Sequence, residues 1–381
     1  MSSHDVIVIG LGGMGSAAVH RLAAKGLRVL GLDRFPAAHD QGSSHGGSRI
    51  IRQAYFEGAD YVPLLLRAYE LWDELEAESA VEIRHRTGGL MIGAGDSLAV
   101  AGSLTSAREH GLDHELLDAA EIRRRFPTMT PADSDIALYE AAAGFVSPEN
   151  AVLANLTMAR RHGAQLRHGV RVDSWAADDA GVTVRTEDGV HRADHLVICP
   201  GAWGPALLAE LGLPLVVERV VQFWFRPTGP PEVFAEQRHP IFIWEDARQR
   251  QGYAFPMHAE SDGTVKAAFF RGGATCTPDT IDRRVAPGEE EELRQFLSNR
   301  VPALPGPLAR AKTCMYTTTP DEDFVIGAHP CHDRVTLACG FSGHGFKFVP
   351  VIGEILADLV TDGATRHPID MFDPRRFGVE D

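Results

Sequence analysis

Four short stretches of this sequence hold side chains that could do chemistry. At the N-terminus, Gly10, Gly12 and Gly15 form G-x-G-x-x-G within "DVIVIGLGGMG", the spacing that brings backbone N–H groups against a pyrophosphate. In "GSSHGGSRIIRQAYFEGADYVPLLLRA" (residues 42–68), His45, Arg49 and Arg52 follow a run of small residues, a pattern for binding an anion. In "CGFSGHGFKFVP" (339–350), Lys347 stands between two phenylalanines, an unusual place for a solvated lysine. Three glycines there, Gly340, Gly343 and Gly345, bring the backbone close to something. Finally, "AKTCMYTTT" (311–319) holds Cys314. No neighbouring cysteine or histidine completes a zinc site, and no base is paired with it. Packing, a nucleophile and some other role stay open, and the polar, threonine-rich surroundings are not those of a typical core strand.

The elements that position these residues follow from periodicity. Val6–Ile9 is a short β-branched run of the kind a buried parallel strand requires. The glycine turn opens a helix whose Ala17, Ala18, Leu22 and Ala23 permit close packing on a sheet. A second strand, Val29–Leu32, ends at Asp33. That placement turns a common glycine pattern into a dinucleotide-binding βαβ unit. Asp33 would accept hydrogen bonds from ribose hydroxyls and disfavour a 2′-phosphate. FAD and NAD are both compatible with it. Arg49 and Arg52 would share a face on a helix and oppose each other on a strand.

Residues 61–79 read as an amphipathic helix, and a Ser-Pro-Glu start signal at Ser147 opens another. Residues 213–226 and 239–270 are strand-rich, and Glu289–Leu297 is helical. An apolar strand at Leu196–Cys199 runs into Gly201. A further strand at Val335–Ala338 leads through the second glycine turn into a helix near Val349–Leu359. The expected architecture is α/β, with residues 1–80, 145–212 and 320–381 forming a discontinuous nucleotide-binding domain. Residues 81–144 and 213–319 form a second, substrate-side domain.

A net charge of −15 excludes a basic nucleic-acid-binding surface. Five cysteines without C-x-x-C spacing (Cys199, Cys276, Cys314, Cys331 and Cys339) fit a reduced chain better than a disulfide framework. No apolar run reaches the ~18 residues of a membrane span, and the N-terminus lacks signal-peptide features. A soluble cytoplasmic protein with no metal is the expectation.

Together, "VIVIGLGGMGSAAVHRLA", the 42–75 segment, "TCMYTTTPDEDFVIG" and "GFSGHGFKF" resemble the monomeric sarcosine oxidase and N-methyltryptophan oxidase family across nearly the whole chain. The resemblance implies a glutathione-reductase-like FAD domain and a mixed-sheet α+β substrate domain. It implies oxidation of secondary amino acids by hydride transfer to flavin, with O2 reoxidising the flavin to give hydrogen peroxide, in a monomer. By the same resemblance, Cys314 carries the flavin covalently at its 8α carbon, and Arg52 and Lys347 hold the substrate carboxylate. Lys266 lies beneath the flavin and promotes its reaction with O2, with His45 and Arg49 on the same face. Tyr253 and Tyr316 line the substrate side, where Gly343 also belongs. Ser44, Ser48, Val172, Gly201, Gly343, Gly345, Phe346 and Lys347 join the glycine turn and Asp33 around the cofactor.

The chain departs from the family in two places. Phe270 stands where the family has a histidine, and Ser44–Ser48 replaces H-H-G-D-T. Losing a polar group beside the substrate points away from sarcosine, towards a bulkier or cyclic amine. A flavin dehydrogenase of the same fold, an NAD-dependent dehydrogenase and a non-catalytic flavin module are the competing readings.

Overall fold

The computed structural model describes residues 4–378. Its centre is an eight-stranded sheet. His4–Ile9 pairs in parallel with Val29–Asp33 on one side and with the end of Gly189–Ile198 on the other. Gln165–His168 extends the parallel array beyond Val29–Asp33, and His332–Cys339 extends it beyond Gly189–Ile198. Ile7, Val8 and Leu32 are wholly buried, as a strand covered on both faces demands. Three helices cover this sheet's edge of the molecule: Gly13–Ala24, Pro148–Arg161 and Val349–Asp362. The first and last pack tightly, because Gly353 sits on Ala17 where a Cβ would come within 2.7 Å.

The second large sheet has nine strands and is mixed. Ile241–Glu245 runs parallel to Gly89–Ala94 but antiparallel to Gln251–Ala254. Lys266 lies on Val265–Phe270, opposite Trp224 of Val216–Phe225. Between the two sheets' strands, a three-stranded ribbon forms from Arg49–Ile51, Arg84–Arg86 and Gly144–Val146. Arg49 begins the first of these strands and Arg52 follows its end.

Two sequence readings change. "AKTCMYTTT", whose surroundings do not look like a typical core strand, is part of an 11-residue strand, Leu308–Thr318. Its β-branched threonines suit a pleated surface, and pairing along Val216–Phe225, with Cys314 opposite Val220, satisfies its backbone. The apolar run at Leu196 is the second half of a longer strand. Its first half, from Gly189, pairs antiparallel with Gly181–Thr186 before the chain enters the parallel array. Among the described residues, no helix is long and apolar enough to cross a membrane.

Candidate active site

The glycine turn opens on a cleft of about 440 Å³. Gly10, Gly12, Gly15, Asp33, Ser44, Arg49, Val172 and Gly201 line it, with Gly343, Gly345, Phe346 and Tyr316 on the opposite wall. The three glycines of the fingerprint have different reasons to be there. A Cβ on Gly10 would lie 2.2 Å from the Cys199 carbonyl, and one on Gly15 would lie 1.7 Å from that of Gly10. Chain packing alone excludes side chains at both. A Cβ on Gly12 would meet only Ser44 Oγ, at an ordinary 3.5 Å. Nothing in the protein requires glycine there, so the bare Cα is explained by a ligand that comes up against it.

The rest of the cleft fits a dinucleotide in the same way. The Gly13–Ala24 helix has no side-chain cap, and the Gly13 N–H is held by Ser44 Oγ at 3.0 Å. The positive end of its dipole therefore faces the cleft, where a pyrophosphate is favoured. Asp33 is held in place by the Leu11 N–H on one oxygen (2.7 Å) and the Phe35 N–H on the other (2.8 Å). Each oxygen keeps a second lone pair for a ribose hydroxyl.

Arg49 reaches from the ribbon to the cleft. Its Nη1 donates to the Ser48 carbonyl (2.8 Å) and its Nη2 to that of Ser43 (2.7 Å). Cys314 Sγ lies 3.8 Å from Arg49 Nη2 and 3.9 Å from the carbonyl oxygens of Gly42 and Ser43. Its neighbours Met315, Tyr316 and Thr317 line the cleft, but Cys314 itself is fully covered. His45 is buried behind the same turn. Neither ring nitrogen has a partner among the described residues. Burial, then the positive charges of Arg49, Lys312 and Lys266, pushes its pKa down to about 3, so the ring is neutral.

Lys266 is buried beside His45's turn and donates to the carbonyls of Gly46 (2.9 Å) and Ser48 (2.7 Å). Its ammonium also lies 5.0 Å from the Phe255 ring and 5.6 Å from the Trp224 ring. Burial and the nearby Arg49 push its pKa well below the ordinary lysine value. Ser48 is thus a carbonyl partner of two cations rather than a lining residue of the cleft.

A second cluster lies behind the cleft wall. Arg52 is 1% exposed, stacked on Phe56 at 4.1 Å and Tyr55 at 4.4 Å. Its Nη2 is 2.5 Å from Glu57 Oε2, and its Nε has no partner among the described residues. Lys347 donates to the His344 carbonyl at 2.7 Å and reaches the Tyr55 hydroxyl at 3.5 Å. Tyr55 is in turn 2.5 Å from His344 Nδ1. Burial would raise the Glu57 pKa, but Arg52, His344 and Lys347 more than offset it and hold it down at about 2. Burial depresses Lys347 to about 7, against the opposing pull of Glu57. Trp72 of the Val62–Ser79 helix fixes this turn by donating to the Lys347 carbonyl at 3.0 Å. Tyr253 and Tyr316 are both buried in neighbouring positions, and Phe270 packs 6.1 Å from Tyr316. A Cβ on Gly343, at φ +80°, would strike the Tyr316 ring at 2.5 Å.

The structure brings the predicted cations together in two groups, Arg49 with Lys266 and Arg52 with Lys347. It adds acidic and aromatic partners that the sequence reading missed. Glu57 sits five residues beyond Arg52, and that charge inside an otherwise apolar and aromatic run was the available signal. Glu149, in the helix-start signal, accepts from the Gly46 and Gly47 N–H groups at 2.6 and 3.1 Å, fixing the turn that holds Lys266. Nothing local in the sequence pointed to Tyr55 and His344 as a pair.

Comparison with known proteins gives a consistent result. Residues 5–359 match the family described as FAD dependent oxidoreductase. The chain is 55% identical over 378 residues to a monomeric sarcosine oxidase of Streptomyces avermitilis, covering 99% of this chain and 98% of that protein. It is 37% identical to the N-methyl-L-tryptophan oxidase of Salmonella newport, covering 98% and 99%. Among solved structures, the open form of NikD, an unusual amino acid oxidase essential for nikkomycin biosynthesis, superposes with a TM-score of 0.87 at 25% identity, covering 98% of each chain.

Proposed function

The chain belongs to the family of FAD-dependent oxidoreductases, within its group of monomeric sarcosine and N-methyltryptophan oxidases, and on that premise we propose that it oxidises the C–N bond of a small secondary amino acid. The observation that carries this reading is the Arg52–Lys347 cluster beside the flavin cleft. It already holds one buried carboxylate, that of Glu57, in its ionised form. Two buried cations that keep a carboxylate charged form a site for the carboxylate of an amino-acid substrate. Each such charge-assisted hydrogen bond contributes about 1.5–3 kcal/mol.

Bound FAD would supply the hydride acceptor and the link to O2, for overall oxidation of the amine to an imine with formation of hydrogen peroxide. The remaining work falls to this chain's residues. Arg52 and Lys347 orient the substrate, and the positive field around them favours the neutral amine, the form able to lose a hydride. Tyr253, Tyr316 and Phe270 wall the space beside the reacting carbon. With phenylalanine at 270, that wall offers an apolar surface to an N-alkyl or cyclic substituent. His45 and Arg49 would hold the flavin on one side, Lys266 would promote its reaction with O2, and Cys314 would anchor it covalently at the 8α carbon. We assign 1–80, 145–212 and 320–381 to the FAD-binding domain and 81–144 and 213–319 to the substrate domain. The eight-stranded sheet draws on the first set and the nine-stranded sheet on the second. Five cysteines outside any disulfide favour a reducing compartment, hence a cytoplasmic enzyme, and the likeness to monomeric sarcosine oxidases favours a monomer.

Anaerobic mixing with sarcosine, N-methyl amino acids, proline and pipecolate tests the reading. At least one is expected to bleach the flavin absorbance. A flavin-loaded protein that none of them bleaches would overturn it.

Lys347 gives a pH dependence of known sign. Its pKa of about 7 lies below the ordinary 10.5. Between those values the unfolded chain binds more protons, so its contribution to stability rises with pH. Carboxylate binding runs the other way, because it needs the ammonium. A carboxylate without an amine, such as acetate, is expected to bind about tenfold or more weakly above pH ~8 than below pH ~6. Lys347→Gln should flatten that profile, as read by flavin absorbance titration. An unchanged profile in the variant would assign the dependence to another group.

A further inference from the structure

On the side of the FAD domain, away from the substrate residues, three helices bring together His20, Glu78 and His162. His20 lies within Gly13–Ala24, Glu78 in the last turn of Val62–Ser79, and His162 just past the end of Pro148–Arg161. His20 Nε2 is 3.3 Å from Glu78 Oε2, and His162 Nε2 is 3.1 Å from Glu78 Oε1. One donor atom from each residue lies within 4.8 Å of the other two. The imidazole rings are nearly parallel, with centroids 5.9 Å apart.

An ordinary hydrogen bond does not account for this arrangement at His20. Asn155 Nδ2 donates to the Ala151 carbonyl at 3.0 Å, which fixes the amide's orientation. Its Oδ1 therefore faces His20 Nδ1, at 3.0 Å. An amide oxygen accepts only, so the His20 proton belongs on Nδ1. In that tautomer Nε2 is a bare lone pair, and it points at a carboxylate oxygen. Two acceptors 3.3 Å apart, where His20 is 1% exposed, need positive charge between them, either a second ring proton or a metal ion.

We propose that His20, Glu78 and His162 form a binding site for one divalent transition-metal ion of the zinc type. The donor set, two imidazole nitrogens and a carboxylate oxygen, is the nitrogen–oxygen chemistry such ions take. Bonds of about 2.0–2.1 Å in a tetrahedron place ligand atoms about 3.3 Å apart, the separation of His20 Nε2 from Glu78 Oε2, while His162 meets the other Glu78 oxygen and one donor atom of each residue lies within 4.8 Å of the other two. The Nδ1–H to Asn155 contact is the outer hydrogen bond that orients a ligating histidine. Glu78 and His162 are each 37% exposed, leaving the fourth position open to water. Both stand at helix C-termini, whose dipoles favour positive charge. Arg21, the nearest competing cation, is engaged by Glu74. A bound ion would join the helix that opens on the flavin pyrophosphate to two others, without touching the chemistry.

Equilibrium dialysis of the flavin-loaded enzyme against Zn(II), with metal counted by mass spectrometry, tests the site. Wild type is expected to hold one zinc per chain and to melt at a higher temperature with zinc present. His162→Ala, a change at a half-exposed position, should lower the affinity by at least ~10-fold and abolish the melting shift while the flavin content stays unchanged. Asn155→Ala should weaken binding ~10- to 100-fold by releasing the ring's tautomer. Wild type that retains no zinc would mean that only a proton bridges His20 and Glu78, and would overturn the proposal. So would a His162→Ala variant that binds as tightly as wild type.

Discussion

Cys314→Ser is expected to convert a flavin that survives denaturing electrophoresis, as a fluorescent band at the size of the chain, into one released completely by acid. The fluorescence should fall from one flavin per chain to background. The side chain is completely buried in a strand whose neighbours line the cleft, and Arg49 lies 3.8 Å from its sulfur. The resemblance that assigns Cys314 as the anchor therefore meets a local geometry in which a cation flanks the reacting atom. Serine is close to isosteric, and its hydroxyl has the Gly42 and Ser43 carbonyls, now 3.9 Å from the sulfur, as acceptors to move towards. The fold should lose on the order of 1 kcal/mol or less. Loss of colour can thus be separated from loss of structure by far-UV circular dichroism. Acid release of all the flavin from the wild-type protein would refute the anchor outright.

Lys266→Met should slow reoxidation of the reduced enzyme by air roughly 10²- to 10³-fold, the scale on which removing one preorganised charge-stabilising group acts. Anaerobic bleaching by substrate should change far less, within about tenfold, because Arg52 and Lys347, the proposed substrate clamp, form a cluster separate from Lys266. Stopped-flow measurement of the two half-reactions reads the split. The side chain is well placed for the task. Two carbonyls and two aromatic faces hold its nitrogen in place, while burial and Arg49 push its pKa well below the ordinary lysine value, so its proton is loosely held. Negative charge developing nearby would pull the proton back. If both half-reactions slow equally, Lys266 is a structural support and not an oxygen-activating group. If wild-type reduced enzyme itself stays reduced in air for minutes, the dehydrogenase reading replaces the oxidase one.

The sequence made some parts of this molecule legible and hid others, for physical reasons. The Gly10–Gly15 turn and Asp33 could be read because their geometry is local. A strand, a turn and a helix within 30 residues dictate where the cleft opens. The Leu308–Thr318 strand was hard to see because its polar, threonine-rich run does not look like a typical core strand, whereas its pairing with Val216–Phe225 is set by residues about 90 positions away. Lys347 stood out because a charge between two phenylalanines conflicts with its surroundings. Glu57 did not, since a single acid in a mixed segment is ordinary until the fold sets it against Arg52. The split between Arg49 and Arg52 depended on where a three-residue strand ends, which no periodicity over so short a span can decide.

The late position of His332–Cys339 in the eight-stranded sheet has a consequence for how the enzyme is made. The Gly10–Asp33 part of the cleft's first wall is made within the opening 33 residues, but Val172 and Gly201 of that wall follow much later, and the wall bearing Gly343 and Phe346 leaves the ribosome about 300 residues later. At roughly 5–20 residues per second, that leaves a nascent chain for tens of seconds with half a cradle. Its His4–Ile9 strand also waits for the partners at Gly189–Ile198 and beyond. Such long-range pairings are slow to form and expose apolar strand edges meanwhile. Flavin capture is therefore a post-translational event for this chain. A cell overproducing it will need chaperone capacity and riboflavin supply in step with translation to recover coloured enzyme instead of aggregate.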